Sequence, residues 1–299
     1  MKRLSLMALA VTVIMTACEK PVINETNATD GDGQPIENVG SDVKKFTFTL
    51  KGDFSTDWKP VTRGYLQADG KDMTDVWVLD YMDGQLIQQV HQSDNTAEDF
   101  GKPVLNLKYG SHHIYFIASR GQGADISTAT HTINFTKALD TFYKDYEVNV
   151  LSTSNGNRAV TLDRVVTKLR LTFTDAVNEK TSTVNITPGT WYHGWDYVSG
   201  TPANEKTNYT SSITIPTNEL GKTGLQVNIY GFSTAEEWQT TVSVTSKHAN
   251  GDIIGSTTLT NVPFKANRIT EYAGPLFGSE GSMVLSLDTD WDDAYTGTW

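Results

Sequence analysis

The chain has 299 residues, with 24 Lys and Arg against 35 Asp and Glu, a net charge of −11 and a pI near 4.9. Such an acid balance repels phosphate backbones and anionic headgroups, which excludes nucleic acid as a partner and electrostatic adhesion to lipid as an attachment. A single cysteine, Cys18, cannot form an internal disulfide, so stability must come from an apolar core.

The start of the chain carries its own signals. Lys2 and Arg3 precede an apolar run over 4–15 that only Ser5 and Thr12 interrupt. A run of about 12 residues is too short to cross about 30 Å of hydrocarbon and matches a signal-peptide core. Small residues, Thr16 and Ala17, lead into Cys18. This stretch resembles the lipobox of bacterial lipoproteins, which implies that 1–17 is a signal peptide and that Cys18 is diacylated and begins the mature chain. Residues 18–43 are rich in Asp, Asn, Gly, Glu and Pro and cannot bury enough surface to offset their ordering entropy, so they read as a flexible tether. If the chain is bacterial, as the lipobox resemblance implies, the Asn-x-Thr sequons at Asn24 and Asn27 are composition rather than glycosylation sites.

The rest reads as all-β. Residues 45–52 alternate Phe46, Phe48 and Leu50 with polar neighbours, the period of a half-buried strand. Residues 75–81 and 85–90 flank Asp83-Gly84 and read as a hairpin. Residues 104–110 and 112–119 read as a second pair joined at Gly110-Ser111, and 137–144 as a stretch where a short helix fits. After a loop at 152–158, 166–175 places Leu169, Leu171 and Phe173 on one face and Lys168, Arg170 and Thr172 on the other. Strands follow at 211–216, 225–232, 238–247 and 252–260, the last entered through Asn250-Gly251, and at the segments RITEYAG and SMVLSLDTDW. Thr and Val dominate these runs, and turn residues recur between them, which predicts two antiparallel β-sandwiches, 44–155 and 156–299.

Motifs for catalysis are missing: the sequence has no G-x-S-x-G, no H-E-x-x-H and no Walker loop. His112 and His113 are adjacent on a strand, so they point to opposite faces and cannot chelate one metal together. Residues 191–197 (WYHGWDY) crowd four aromatics around an Asp. Trp191, Tyr192, Trp195 and Tyr197 could stack on sugar rings with Asp196 accepting from a hydroxyl, or they could plug the space between sheets. Asp288, Asp290 and Asp292 have the i, i+2, i+4 spacing of a calcium loop. However, no turn glycine follows and no Glu closes the loop, so a solvent-facing strand fits them as well. No cofactor is expected.

Taken in order, the lipobox, the polar tether, the hairpin VWVLDYMDGQLI, the element LDRVVTKLRLTF at 162–173 and the segment VPFKANRITEYAGPLF at 262–277 resemble the fimbrillin superfamily of Bacteroidales. The resemblance implies two transthyretin-like sandwiches, exported as an outer-membrane lipoprotein. Its members are stalk, tip or anchor subunits of surface fimbriae, with other subunits and a host or bacterial surface ligand as partners. Polymerising members are cut after an arginine, which removes the first strand and opens a groove for a strand donated by a neighbour. Arg63, between Pro60 and Gly64 just past 45–52, is the matching candidate; an ordinary loop arginine is the other reading. The resemblance therefore predicts a lipid-anchored subunit, an anchor or a minor stalk or tip component, assembling by strand exchange. A stand-alone surface glycan binder using the 191–197 aromatics is the alternative.

Overall fold

The computed structural model describes residues 42–51, 73–207, 209–278 and 284–288. Among these residues every regular element is a strand apart from one 3-10 turn, Thr217–Glu219. The all-β expectation holds.

β1 (Val43–Lys51), β4 (Val104–Lys108) and β9 (Asn157–Thr161) form a three-stranded sheet in the order β4-β1-β9. A five-stranded sheet lies opposite, in the order β10 (Asp163–Arg164), β8 (Thr141–Val150), β5 (Gly110–Ser119), β2 (Asp75–Met82), β3 (Gln85–Gln92). Phe46, Phe48, Leu105 and Leu107 of the first sheet meet Val76, Val78, Ile114 and Phe116 of the second in one core. The second sandwich pairs the sheet β16 (Leu225–Phe232), β11 (Val166–Phe173), β19 (Ile269–Gly274), β20 (Val284–Asp288) with the sheet β15 (Ser211–Thr214), β12 (Thr183–Pro188), β17 (Trp238–Lys247), β18 (Ile253–Phe264). Leu169, Leu171 and Phe173 fill its core with Val184, Val242 and Val244, on the face their alternation predicted.

A fifth sheet belongs to both halves. Its order is β14 (Thr201–Thr207), β13 (Thr190–Asp196), β7 (Thr132–Lys137), β6 (Gln122–Ser127). Ile133 and Phe135 of β7 and Trp195 of β13 pack on Trp77, Leu79, Tyr115 and Ile117, the back of the five-stranded sheet, and on Tyr230 and Phe232 of β16. β2 and β5 are thus covered on both faces, which is why 75–79 reads as a nearly continuous apolar run.

The two sandwiches share a topological device. The first strand of each, β1 or β11, is antiparallel to one neighbour, β4 or β16, and parallel to a late strand, β9 or β19. The expected sandwiches are therefore mixed rather than purely antiparallel. A parallel pair needs a long crossover, and here the intervening strands of each sandwich supply it.

Further differences have local causes. β4 and β5 do not pair with each other: β4 pairs with β1, and β5 with β2 and β8. Gly110 makes the corner between sheets at φ 130, and a Cβ there would meet the Met82 Cε at 2.5 Å. The stretch 137–144 forms no helix but runs from the end of β7 into β8, because Phe142 is drawn into the core. Nor do the sheets part at 155. β9 and β10 pair with β1 and β8 of the first sandwich, so the strand of the second begins at Val166. Lys168 is fully buried, with its Nζ 5.4 Å from the Tyr230 ring centre, although its strand alternation pointed to a polar face. The Asp83-Gly84 hairpin forms as predicted, with both residues at positive φ (51 and 73).

Candidate functional site

β1 is an inner strand held along two different halves. Val43 to Thr47 pair antiparallel with Lys108 to Val104, and Thr47 to Lys51 pair parallel with Asn157 to Thr161. The Thr47 amide donates to the Gly156 carbonyl at 2.7 Å, Phe48 to Pro103 at 3.0 Å and Leu50 to Gly101 at 2.9 Å, and the Lys51 carbonyl accepts from Leu162 at 2.7 Å. Gly156 is needed at this crossing, since a Cβ there would collide with the Lys45 carbonyl.

The inward side chains are the strongest hold. Phe46 and Phe48 are fully buried, Phe48 lies 5.1 Å from Phe116 and 5.9 Å from Tyr146, and the Arg158 guanidinium sits 5.4 Å from the Phe46 ring centre. Burying each ring contributes about 1.5–3 kcal/mol. β4 and β9 have no strand partner other than β1 among the described residues. Withdrawing β1 would leave two lone strands, a row of unpaired N–H and C=O groups and an apolar trough. What could refill it is specified: an extended segment with large apolar residues at alternate positions, antiparallel to β4 and parallel to β9. Arg63 and Cys18, the processing and lipidation candidates, lie outside the described residues.

The aromatic cluster at 191–197 does not form the exposed stacking surface that the sequence allowed. Trp191, Trp195 and Tyr197 are 0, 4 and 0% exposed. Trp191 stands edge-on to Phe264 at 5.0 Å and donates from Nε1 to the Tyr230 carbonyl at 2.9 Å. Trp195 packs on Tyr143 at 5.4 Å and on Phe232 at 6.1 Å. Strand alternation turns both tryptophans inward, Trp191 into the core of the second sandwich and Trp195 into the seam with the five-stranded sheet, so neither indole is open to a sugar. Tyr192 is half-buried against Trp238 at 5.8 Å. Asp196 accepts from the amides of Val198 and Ser199 at 2.9 and 3.0 Å, so its carboxylate closes its own turn.

The histidine pair separates as strand geometry requires. His112 is buried, with Nδ1 2.7 Å from the Asp80 carboxylate and Nε2 2.9 Å from the Lys108 carbonyl. His113 faces solvent 3.5 Å from Asp145 and 3.8 Å from Glu147 on β8. The ligand atoms of these three lie within 4.8 Å of one another, a grouping that cross-strand pairing creates and sequence spacing hides. For the acidic tail only the backbone of Asp288 is described, as the last residue of β20; Asp290 and Asp292 lie outside the described residues.

Where the halves join, Asp140 is buried between two arginines. Arg120 donates from Nη2 at 2.8 Å and Arg164 from Nε at 2.7 Å, and Arg164 also reaches Asn267 Oδ1 at 2.7 Å and lies 4.5 Å from the Phe142 ring centre. Arg164 belongs to the LDRVVTKLRLTF element, where it ties β10 to the loop before β19.

A family of unknown function, DUF6562, matches residues 123–298. No curated protein matches the chain in sequence. Solved structures similar to it include a candidate adhesin from Bacteroides ovatus at 13% identity and TM-score 0.49, covering 84% of this chain and 96% of that one. The fimbrial anchor protein Mfa2 from Porphyromonas gingivalis is 12% identical at TM-score 0.43, covering 77% and 90%. A fimbrial assembly protein from Parabacteroides distasonis is 12% identical at TM-score 0.44, covering 82% and 99%.

Proposed function

This chain belongs to the DUF6562 family, and we propose that it is a non-enzymatic, lipid-anchored subunit of a surface fimbria that assembles by β-strand exchange. The observation that carries this reading is the position of β1: an inner strand, first in its domain, followed by the segment that contains Arg63. With β1 in place and Cys18 acylated, the chain is a membrane-held terminal subunit. Cleavage after Arg63 would release the lipid and β1 together and leave the slot between β4 and β9 for a neighbour's strand. The same segment cannot both hold the anchor and be lost, so the two states are exclusive. The ordered pieces of sequence that resemble fimbrillins support the same role.

The test uses the chain beginning at Gly64 and a synthetic peptide of residues 43–51. Strand exchange requires saturable uptake of the peptide and a raised melting temperature, both abolished when Phe46 and Phe48 of the peptide are replaced by Ser. Equal stabilisation by the Ser peptide would refute it.

A further inference from the structure

The shared sheet is split at one end. β7 and β13 pair at Thr132↔Asp196, Ile133↔Trp195 and Asn134↔Gly194 and then part. Each keeps its other partner beyond that point: β7 stays on β6 as far as Lys137↔Gln122, and β13 stays on β14 as far as Thr190↔Thr207. The fork opens a cleft of about 340 Å³ lined by Asp125, Asn134, Thr136, His193, Lys206 and Tyr209, among others.

Two buried polar atoms in this cleft have no partner within the protein. His193 is 3% exposed, and its Nε2 makes no hydrogen bond; Asn134 Oδ1 is likewise buried and unmet. Buried groups of this kind are costly unless water or a ligand satisfies them. The imidazole is fixed edge-on to the Tyr209 ring, with ring centres 4.0 Å apart. Burial, and then the Lys206 charge, hold the His193 pKa below its usual value, so the ring is neutral at physiological pH and offers one donor and one acceptor. The lining carries one carboxylate, Asp125, and one ammonium, Lys206, which offset each other. Its remaining groups are hydroxyls, amides and two rings, Phe135 and Tyr209.

We propose that this cleft binds a neutral polyhydroxylated ligand, one sugar residue of a surface glycan, with His193 and Asn134 exchanging hydrogen bonds with its hydroxyls and Tyr209 against its apolar face. A lining of polar groups with no net charge matches a sugar and mismatches an anion. The size suits a ligand at the small end of the range for binding clefts. The site is on the opposite flank of the five-stranded sheet from β1 and needs no strand exchange. Its His193 stands two residues from each of the buried tryptophans, Trp191 and Trp195, that the sequence had suggested.

The experiment follows the ¹⁵N resonances of the His193 imidazole in the mature chain from Cys18, without its lipid. Glucose, galactose, mannose, N-acetylglucosamine and inorganic phosphate are added separately. The expected result is a saturable shift of Nε2 with at least one sugar and none with phosphate. Asp125→Ala and Thr136→Ala, both at exposed positions, should weaken that binding by about tenfold with an unchanged melting temperature. A cleft that holds water only would give no shift with any of the sugars. That result, a response to phosphate alone, or equal binding by the two exposed-site variants would overturn the proposal.

Discussion

Tyr81 and Tyr197 are 116 positions apart in the chain, yet their hydroxyls meet at 3.0 Å in the buried seam between the five-stranded sheet and the shared sheet. Tyr143 adds a third ring, donating to the Tyr197 carbonyl at 2.7 Å. The seam is therefore joined by phenols whose ionisation is disfavoured. Burial pushes Tyr115 up to about 12, and it also pushes Tyr143 and Tyr197 upward from 10.0, with the Tyr81 hydrogen bond adding to the effect at Tyr197.

The sign of the resulting pH dependence is fixed. A phenol whose folded pKa lies above its unfolded value stabilises the fold fully below pH 10 and progressively loses that contribution as pH rises toward the folded value. Stability should therefore fall from pH 10 upward. In an absorbance titration of the 12 tyrosines, a subset including these three should ionise only as the chain unfolds. Tyr197→Phe should cost about 1–3 kcal/mol, because it leaves the Tyr81 hydroxyl buried without this partner.

Phe48→Ala should destabilise the first sandwich by about 3–5 kcal/mol, since the ring is fully buried against Phe116 and Tyr146. Thr49→Ala, on the exposed side of the same strand, should stay within about 0.5 kcal/mol. Urea unfolding of both variants separates the inward face of β1 from the outward one.

Asp140→Asn should cost about 3–5 kcal/mol, because two buried guanidinium groups lose the carboxylate charge they share. Lys144→Ala, which removes an exposed pair with Asp163, should cost about 1 kcal/mol or less. The contrast is read from unfolding midpoints at matched pH.

His193 predicts an acid limb. Its folded pKa is depressed below 6.5, so the unfolded chain takes up a proton first as pH falls. Stability should drop below about pH 6.5 until the folded pKa is passed. His193→Gln should flatten that part of the melting-temperature profile and leave the profile above pH 7 with its original slope.

Much of the strand content could be read from local pattern, because β1 and β17 each bury one face and keep period two. The Asp83-Gly84 hairpin was equally plain, since two adjacent positive-φ residues are a local demand. Pairing was less legible. Whether β4 joins β5 or β1 depends on a corner at Gly110 and on a strand some sixty residues upstream. The direction of Trp191 and Trp195 was hidden for a similar reason: a strand shows which residues share a face, but not which face another sheet covers. The cleft beside His193 exists only because β7 and β13 come together and then diverge, which no spacing in the sequence encodes.

The most direct test of strand exchange is the N-terminal sequence and intact mass of the chain recovered from native cells, taken separately from outer membranes and from sheared surface filaments. Exchange at the β1 slot requires a start at acylated Cys18 in the membrane and at Gly64 in the filaments. Filament-borne chains that still contain residues 43–51, or filaments without the protein, would contradict it.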